Sequence, residues 1–394
     1  MAGPLDGVRV IDMSNVVSGP MAVQILADQG ADVVKVEQPK VGDISRFMGQ
    51  QRGGVAAMFA VLNRNKRSIA LNLGHDEGKE ILFDLVKSAD VLVQNFRPGT
   101  MDRMGIGYEV LKKINKNLIF VSISGFGEDG PYSRRRVYDP VIQGVTGFAA
   151  SQGAPRSGVP ELIRNIVCDK ATAVTAAQAI TAALFARERG AGGQHIELSM
   201  MDSGLAFLWP DGMWNNSMLG DGVTVMPAVS EIYRVTETAD GFITCLCVSD
   251  EEWRAMCRAV GKPEFGTDPR YATIPARLGN LDSMVEFLET ELGDWTTDEI
   301  CARLEEEEVP YAKINTLDEV SQDPQIVHRG SILEVEHPFG GTMRTPRPPA
   351  RFHETPADIR FLSPMLGQHS EEILAELGHS EEKIAKYLAD GVID

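Results

Sequence analysis

The sequence predicts an α/β protein: a large, doubly wound, Rossmann-like parallel-sheet domain accompanied by a smaller α+β domain. Three observations carry that expectation. At 394 residues the chain is long for a single core. Its first half repeats one unit of β-branched strand, turn, amphipathic helix and strand. Past residue 225 the texture changes to acidic helices with few strands and frequent Gly and Pro.

Taken in order, Val8-Arg9-Val10-Ile11-Asp12 reads as the first strand, residues 21–29 as a helix, and Asp32-Val33-Val34-Lys35-Val36-Glu37 as the second strand. Gly30 stands where a helix C-cap belongs. Residues 68–73 are strand-like, and 77–88 form a helix with Ile81, Leu82, Leu85 and Val86 on one face. Val91-Leu92-Val93 and residues 119–123 are further strands, a long helix runs over 170–189, and 195–199 is another strand. Acidic helices are expected at 251–260, 282–292 and 297–307, and two short ones within 370–388. The implied organisation is residues 1–200 as the N-terminal part of the large domain, 201–224 as a linker and 225–320 as the small domain. Residues 321–394 return as a Pro/Gly-rich linker (330–360) and the C-terminal part of the large domain.

The chain carries 38 Lys+Arg against 56 Asp+Glu, a net charge of -18. That balance excludes nucleic acid as a partner, because phosphate-backbone binding needs a basic face. It leaves room for a small anionic ligand at a local basic cluster, since charge acts over about 8 Å in physiological salt. The longest small-residue stretch, 171–186, is shorter than the roughly 20 residues that span a bilayer. No signal peptide is read at the start. Five cysteines without a C-x-x-C pair fit a reduced, cytoplasmic chain without structural zinc.

Gly125-Phe126-Gly127-Glu128-Asp129-Gly130 matches a dinucleotide fingerprint, but Pro131 follows at once and no helix fits there to hold pyrophosphate. A glycine turn is the better reading, which speaks against an NAD-dependent oxidoreductase. Asn15-Val16-Val17-Ser18-Gly19-Pro20 joins the first strand to its helix, where open parallel sheets bind ligands, though spacing alone favours an ordinary turn. Basic residues cluster at Arg64-Asn65-Lys66-Arg67 and Arg134-Arg135-Arg136, a weak pointer to a polyphosphate ligand. Asp169 precedes the long helix and reads first as its N-cap. A carboxylate there stays ionised beside the helix dipole, so cap and nucleophile are compatible roles.

Several motifs together resemble the family III CoA-transferases (the formyl-CoA, carnitine-CoA and bile-acid-CoA transferase group), which also contains the α-methylacyl-CoA racemases. They are Gly19-Pro20, Leu26-Ala27-Asp28, Gly30 through Glu37, Gly42-Asp43, Asn63-Arg64-Asn65-Lys66-Arg67-Ser68, Asn95-Phe96-Arg97-Pro98-Gly99, Gly125-Phe126-Gly127, Asp169 and Gly193-Gln194. The resemblance implies an aspartate nucleophile at Asp169, passing through a mixed anhydride and a β-aspartyl-CoA thioester. It implies CoA contacts at Val17, Ser18, Gln38, Leu71, Asn72, Leu73, Asn95, Phe96, Arg97, Arg103, Arg136, Val137, Tyr138 and Asp139. Coenzyme A and acyl-CoA enter as substrates, with a small carboxylic acid as the other partner; no tightly bound cofactor, metal or membrane is implied. The family fold implies an interlocked homodimer, and the apolar Ile332, Leu333 and Phe339 in the 330–360 linker suit chain wrapped around a partner.

Two departures bear on substrate. Formyl-CoA transferases of the family carry glutamine and arginine where this chain has Val17 and Gln38, and a tetraglycine loop where only Gly220-Asp221-Gly222 stands. Formyl-CoA and oxalate therefore fit poorly. Racemases need a histidine base just before the aspartate at position 139, and this chain has Tyr138 there. A tyrosine with pKa about 10 is a poor base at neutral pH. The acyl-CoA racemase or isomerase is accordingly the second reading.

Overall fold

The computed structural model describes residues 3–153 and 158–394. The chain forms two compact units. One comprises Met1–Thr146, Leu162–Phe207 and His328–Asp394; the other comprises Gly147–Glu161 and Leu208–Val327. The second unit is thus larger than residues 225–320, because composition marks where the texture changes rather than where each segment packs.

The first unit is built on a six-stranded sheet. Its strands are β1 (Arg9–Asp12), β2 (Asp32–Glu37), β3 (Lys66–Ala70), β4 (Val91–Gln94), β5 (Ile119–Ser124) and β6 (His195–Ser199). All pairings are parallel and the order is β3-β2-β1-β4-β5-β6. Strand order reverses between β1 and β4, so the loops leaving their carboxyl ends diverge and open a crevice. Helices α1 (Ser18–Asp28), α2 (Asp76–Ser88), α3 (Asp139–Thr146) and α4 (Val167–Ala186) belong to this part of the unit.

Period-two alternation distributes the strand side chains between two cores. Ile11, Val34, Ile69, Leu92 and Phe120 face one side and meet Ile81, Leu82, Leu85 and Val86 of α2. Val10, Val33, Val91, Val93, Ile119 and Val121 face the other, against Ala22, Val23 and Leu26 of α1 and Ala173, Ala176 and Ile180 of α4. The alanines of α4 let it approach α1 closely. Each fully buried Val, Leu or Ile contributes about 1.5–3 kcal/mol before chain entropy is subtracted.

The second unit holds a small antiparallel sheet of β7 (Thr236–Glu237), β8 (Phe242–Cys245) and β9 (Tyr311–Lys313), in the order β9-β8-β7. Around it lie α5 (Asp250–Ala259), α6 (Leu281–Gly293) and α7 (Thr297–Glu306), whose core includes Ile243, Met256, Leu292, Ile300 and Leu304. Ser249 and Thr296 close full capping boxes with Glu252 and Glu299, which start α5 and α7 where the sequence signals did.

The chain then re-enters the first unit. The stretch expected as a Pro/Gly-rich linker is instead a regular hairpin of β10 (Ile332–His337) and β11 (Gly341–Pro346), paired over six residues. The flanking prolines and glycines mask it in the sequence, because the pairing of its strands is a tertiary property. Helices α8 (Ser370–Glu376) and α9 (Glu381–Ala389) follow and add Ile373, Leu374, Ile384 and Tyr387 to the α2 core. The last residues dock on the edge beyond β3, where Leu71 bridges Ile393 and Asn72 N donates to Val392 O at 2.8 Å.

The basic run 64–67 serves this architecture, not a ligand. Arg64 is buried against Asp28 at 2.7 Å, and Arg67 pairs with Asp32, Glu372 and Glu376. Lys66 Nζ is buried, contacting Asp12 Oδ2, Asn63 Oδ1 and Pro20 O, each at 2.8 Å. Lys35 Nζ lies 3.1 Å from Asp43 Oδ2 and donates to Ser14 O at 2.9 Å. Asp12, Lys35 and Lys66 are all fully buried. Burial alone would raise the Asp12 carboxyl, but the ammonium groups of Lys35 and Lys66 outweigh it and hold it at about 2. Asp12→Asn takes from buried Lys66 its carboxylate partner and leaves Lys35 with Asp43 alone, and is expected to cost about 3–5 kcal/mol. Lys87→Ala, which removes an exposed pair with Asp84, should change stability by less than about 0.5 kcal/mol. Denaturant midpoints measured side by side check both; an Asp12→Asn midpoint equal to that of wild type would contradict the network's role.

Candidate active site

A cleft of about 320 Å³ opens at the β1/β4 reversal. The turn after β1 and the turn after β4 are stitched together there by one residue. Asn95 Oδ1 accepts from Asn15 N, and Asn95 Nδ2 donates to Asn15 O, both at 2.8 Å. Asn15, Val16 and Ser18 form one wall and Asn95, Phe96, Arg97 and Pro98 another; Arg135, Arg136, Val137 and Tyr138 close the cleft on a third side. Asp169, Met200 and the end of β5 with its turn, Ile123 to Gly125, also line it.

The β1 turn is held in an unusual shape. Val16 has φ +69°, a left-handed conformation that a β-branched residue adopts only under constraint. Strain of this kind costs about 1–3 kcal/mol. Asp43 supplies the constraint: its Oδ1 accepts from Val16 N at 3.1 Å and from Ser45 N at 2.9 Å, while its Oδ2 pairs with buried Lys35. The turn emerges into α1 so that the backbone N–H and the hydroxyl of Ser18 are directed at the Asp169 carboxylate and favour its charged form.

Asp169 is not the helix cap. The N-cap of α4 is Ile166, with no side-chain cap, and Asp169 is the third residue of the helix itself. The amide of Asp169 is taken instead by Asp139, whose Oδ2 accepts it at 3.0 Å and that of Cys168 at 2.7 Å. Four effects therefore act on the Asp169 carboxyl. The helix N-terminus and the two Ser18 donors favour its charge; burial, and after it the neighbouring Asp139 carboxylate, oppose it. The second pair wins, and the Asp169 pKa is pushed up to about 6. At pH 7 the group is still mostly ionised, and more basic than an exposed carboxylate. Cys168 beside it is inert: burial, then Asp139 and Asp169, push its thiol up to about 12.

Of the residues expected to contact CoA, the cleft brings together Ser18, Asn95, Phe96, Arg97, Arg136, Val137 and Tyr138. Arg97 and Arg136 are exposed and make no ion pair among the described residues. Val17 is fully buried behind the wall. Asp139 is buried and turned to the start of α4 rather than into the cleft. Gln38, Leu71, Asn72, Leu73 and Arg103 lie outside the lining. Gln38 is exposed in the turn after β2, and Arg103 Nη2 donates to Thr100 Oγ1 at 2.9 Å. Residues 71–73 receive the end of the chain. The glycine run 125–130 forms a turn after β5 with no helix opening inside it. Val16 lay inside the flagged Asn15–Pro20 turn and Arg135 inside a basic run, though neither was named as a contact; Met200 and the cap from Asp139 carried no sequence signal.

A carboxyl whose folded pKa exceeds its unfolded value destabilises the fold once ionised. For Asp169 that cost is absent below the ordinary value of 3.8 and fully present above about 6. It is on the order of 3 kcal/mol at neutral pH. Asp169→Asn removes the charge and keeps the shape, so its melting temperature at pH 7.5 should rise by several degrees, and the gain should shrink toward pH 5. A lowered or pH-independent melting temperature in this variant would contradict the electrostatic account.

Comparison with known proteins agrees with this geometry. The family model described as CoA-transferase family III matches residues 5–370. The chain is 35% identical over 412 residues to a formyl-CoA:oxalate CoA-transferase from Escherichia coli O6:H1, covering 98% of each protein. It is 34% identical over 408 residues to an acyl-CoA transferase from Fusarium pseudograminearum, covering 99% of this chain and 88% of that one. Among solved structures, a CAIB/BAIF family protein from Brucella suis superposes with a TM-score of 0.83 at 34% identity, over 96% of this chain and 100% of that one. With a matching model over nearly the whole length and relatives that share one third of its residues, the chain belongs to CoA-transferase family III and is a CoA-transferase enzyme.

Proposed function

We propose that this enzyme moves CoA from an acyl-CoA to a free carboxylic acid through covalent intermediates on Asp169. The single observation behind this reading is a half-buried carboxylate of raised basicity at the lining of a cleft that also presents Arg97 and Arg136. An Asp169 oxygen attacks the thioester carbonyl, the C–S bond breaks, and CoA thiolate leaves a mixed anhydride. The thiolate then attacks the aspartyl carbonyl and expels the donor acid as carboxylate, leaving a β-aspartyl-CoA thioester. The acceptor carboxylate attacks that thioester, again releasing thiolate. Attack of the thiolate on the acceptor's acyl carbon forms the new acyl-CoA and restores Asp169. Two easy exchanges replace one difficult transfer.

In this scheme Ser18 holds the Asp169 oxygens in line, and its two donors stabilise the charge returning to them at each collapse. Arg97 and Arg136 bind CoA phosphates. The acceptor is a small acid other than oxalate, because Val17 is buried and brings no side-chain amide to a second carboxylate. Val16, Ile123 and Met200 beside Asp169 suit an apolar acyl group. A racemase would need a second base opposite Asp169. Among the described residues no histidine lines the cleft, and Tyr138 is 68% exposed. Among the described residues no helix is long and apolar enough to cross a membrane. The five free cysteines suit a reduced, cytoplasmic setting.

We further propose a homodimer, with the interlocked arrangement as its form. Val174 and Phe185 of α4 are more than half exposed in the single chain, and Val141 and Val145 of α3 nearly so. A second copy covers such exposed apolar side chains.

Two measurements test these readings. Wild-type protein incubated with a panel of acyl-CoAs and free acids should exchange CoA by mass spectrometry, and hydroxylamine should convert Asp169 to a hydroxamate. Asp169→Ala should lose exchange by at least about 10³-fold while retaining CoA binding, since the nucleophile makes every bond; near-wild-type exchange would end the covalent reading. In analytical ultracentrifugation the protein should sediment at twice the 43.0 kDa chain mass down to nanomolar concentration. A compact, active monomer would exclude the interlocked form.

A further inference from the structure

The helix that carries Asp169 begins without a local cap, and an amide left bare at a buried helix start costs free energy. The first-turn amides of Cys168 and Asp169 are satisfied from 29 and 30 residues away in sequence, by Asp139 Oδ2 at 2.7 and 3.0 Å. Asp139 is 2% exposed. Its Oδ1 accepts from Gln143 Nε2 at 2.5 Å, one turn along α3. Gln143 grips the chain that leads into α4: its Nε2 reaches Ile163 O at 3.1 Å and Asn165 O at 3.2 Å, and its Oε1 accepts from Ile163 N at 2.9 Å. Asp139 and Gln143 thus clamp both the approach and the first turn of α4 onto α3.

We propose that Asp139 is a positioning residue for the transfer reaction: it fixes the first turn of α4 and thereby the direction in which the Asp169 carboxylate meets the cleft. The proposal rests on the reading of Asp169 as the nucleophile.

An uncharged acceptor would satisfy the same amides, so the carboxylate needs its own reason. A charged acceptor makes shorter and stronger bonds to N–H donors, which stiffens the turn. It also places a like charge beside the nucleophile. The groups that face Asp169 are Ser18 from α1, Cys168 on its own turn, Asp139 from α3, and Arg135, Arg136 and Tyr138 across the cleft. Lys170, next along the helix, donates away to Asn165 Oδ1 at 2.7 Å. None of these cations forms an ion pair with Asp169 or Asp139 among the described residues. After burial, Asp139 is therefore the group that keeps the Asp169 carboxylate basic. A more basic carboxylate is a stronger nucleophile as long as it remains ionised at working pH. One buried side chain supplies both the geometry and the basicity.

Two substitutions separate this role from a merely structural one. Asp139→Asn keeps an acceptor oxygen for the helix amides and removes the charge; Asp139→Ala removes both. With the acyl-CoA and acid pair that exchanges fastest in the panel, the acid limb of kcat/KM should move to lower pH in Asp139→Asn, by on the order of one pH unit. Asp139→Ala should lower kcat/KM more than Asp139→Asn does. A second readout needs no substrate. The melting-temperature gain of Asp169→Asn should shrink in an Asp139→Asn background, because the opposing charge is already gone. A helix cap without influence on Asp169 would lower both melting temperatures and leave the acid limb in place. An unmoved acid limb together with additive melting shifts would overturn the proposal. Exchange surviving in Asp169→Ala would instead remove the nucleophile on which it stands, so the two failures are distinguishable.

Discussion

The active site depends on four charges buried beneath it. Asp12 ends β1, Lys35 comes from β2, Lys66 begins β3, and Asp43 arrives from the turn beyond β2; Asp12, Lys35, Lys66 and Asp43 have no contact with solvent. Buried ions are costly unless every partner is present. Here each ammonium group is surrounded by carboxylate and carbonyl oxygens at 2.8–3.1 Å. The arrangement is satisfied only when the β1 turn takes one path, because Ser14 O and Val16 N are among its ligands. Hydrophobic residues of equal volume would pack as well and would leave that turn free. The network spends stability on a single loop shape, and the left-handed Val16 is where the constraint shows.

That loop shape decides how Asp169 works. Ser18, delivered by the turn, points two donors at a carboxylate carried by another helix. The same carboxylate sits beside Asp139, which holds the helix start. The donors and the helix N-terminus stabilise negative charge, whereas burial and Asp139 oppose it more strongly. The outcome is a group near the middle of the useful range: ionised at neutral pH, yet more basic than a surface aspartate. The adjacent Cys168, the more familiar nucleophile, is silenced by the same surroundings.

A sheet of order 3-2-1-4-5-6 is shared with dinucleotide-binding domains, and the cleft lies where that order predicts a ligand. The chemistry does not follow from the order. In those domains a helix N-terminus opens a glycine-rich turn to receive pyrophosphate. Here the glycine-rich turn follows β5 and opens no helix, while the helix start at the cleft is that of α4, which carries the Asp169 carboxylate. Function rests on the residues placed at the crevice rather than on the scaffold.

Much of this was legible in the sequence. The strands Asp32–Glu37 and His195–Ser199 were read to the residue, because period-two alternation and β-branched composition act locally. Motif resemblance pointed to Asp169, Ser18 and the arginine-bearing turns, and the fold brings them to one cleft. What the sequence left undecided shares one physical character: it depends on contacts between residues far apart in the chain. Arg64 and Arg136 look alike as members of basic runs. One is buried against Asp28 and the other is unpaired at the cleft, and only packing separates them. The residues 330–360 read as a linker because prolines flank a hairpin whose pairing is visible only once folded. The cap of α4 comes from Asp139, about 30 residues upstream, so no window around Asp169 contains it. By itself the sequence determined the strands of the sheet and its helices, and it marked Asp169 as the candidate carboxylate. The tertiary structure decided which charges are spent internally, how the β1 turn is bent and how basic Asp169 becomes, because burial and through-space charge are properties of neighbours that the chain order does not list.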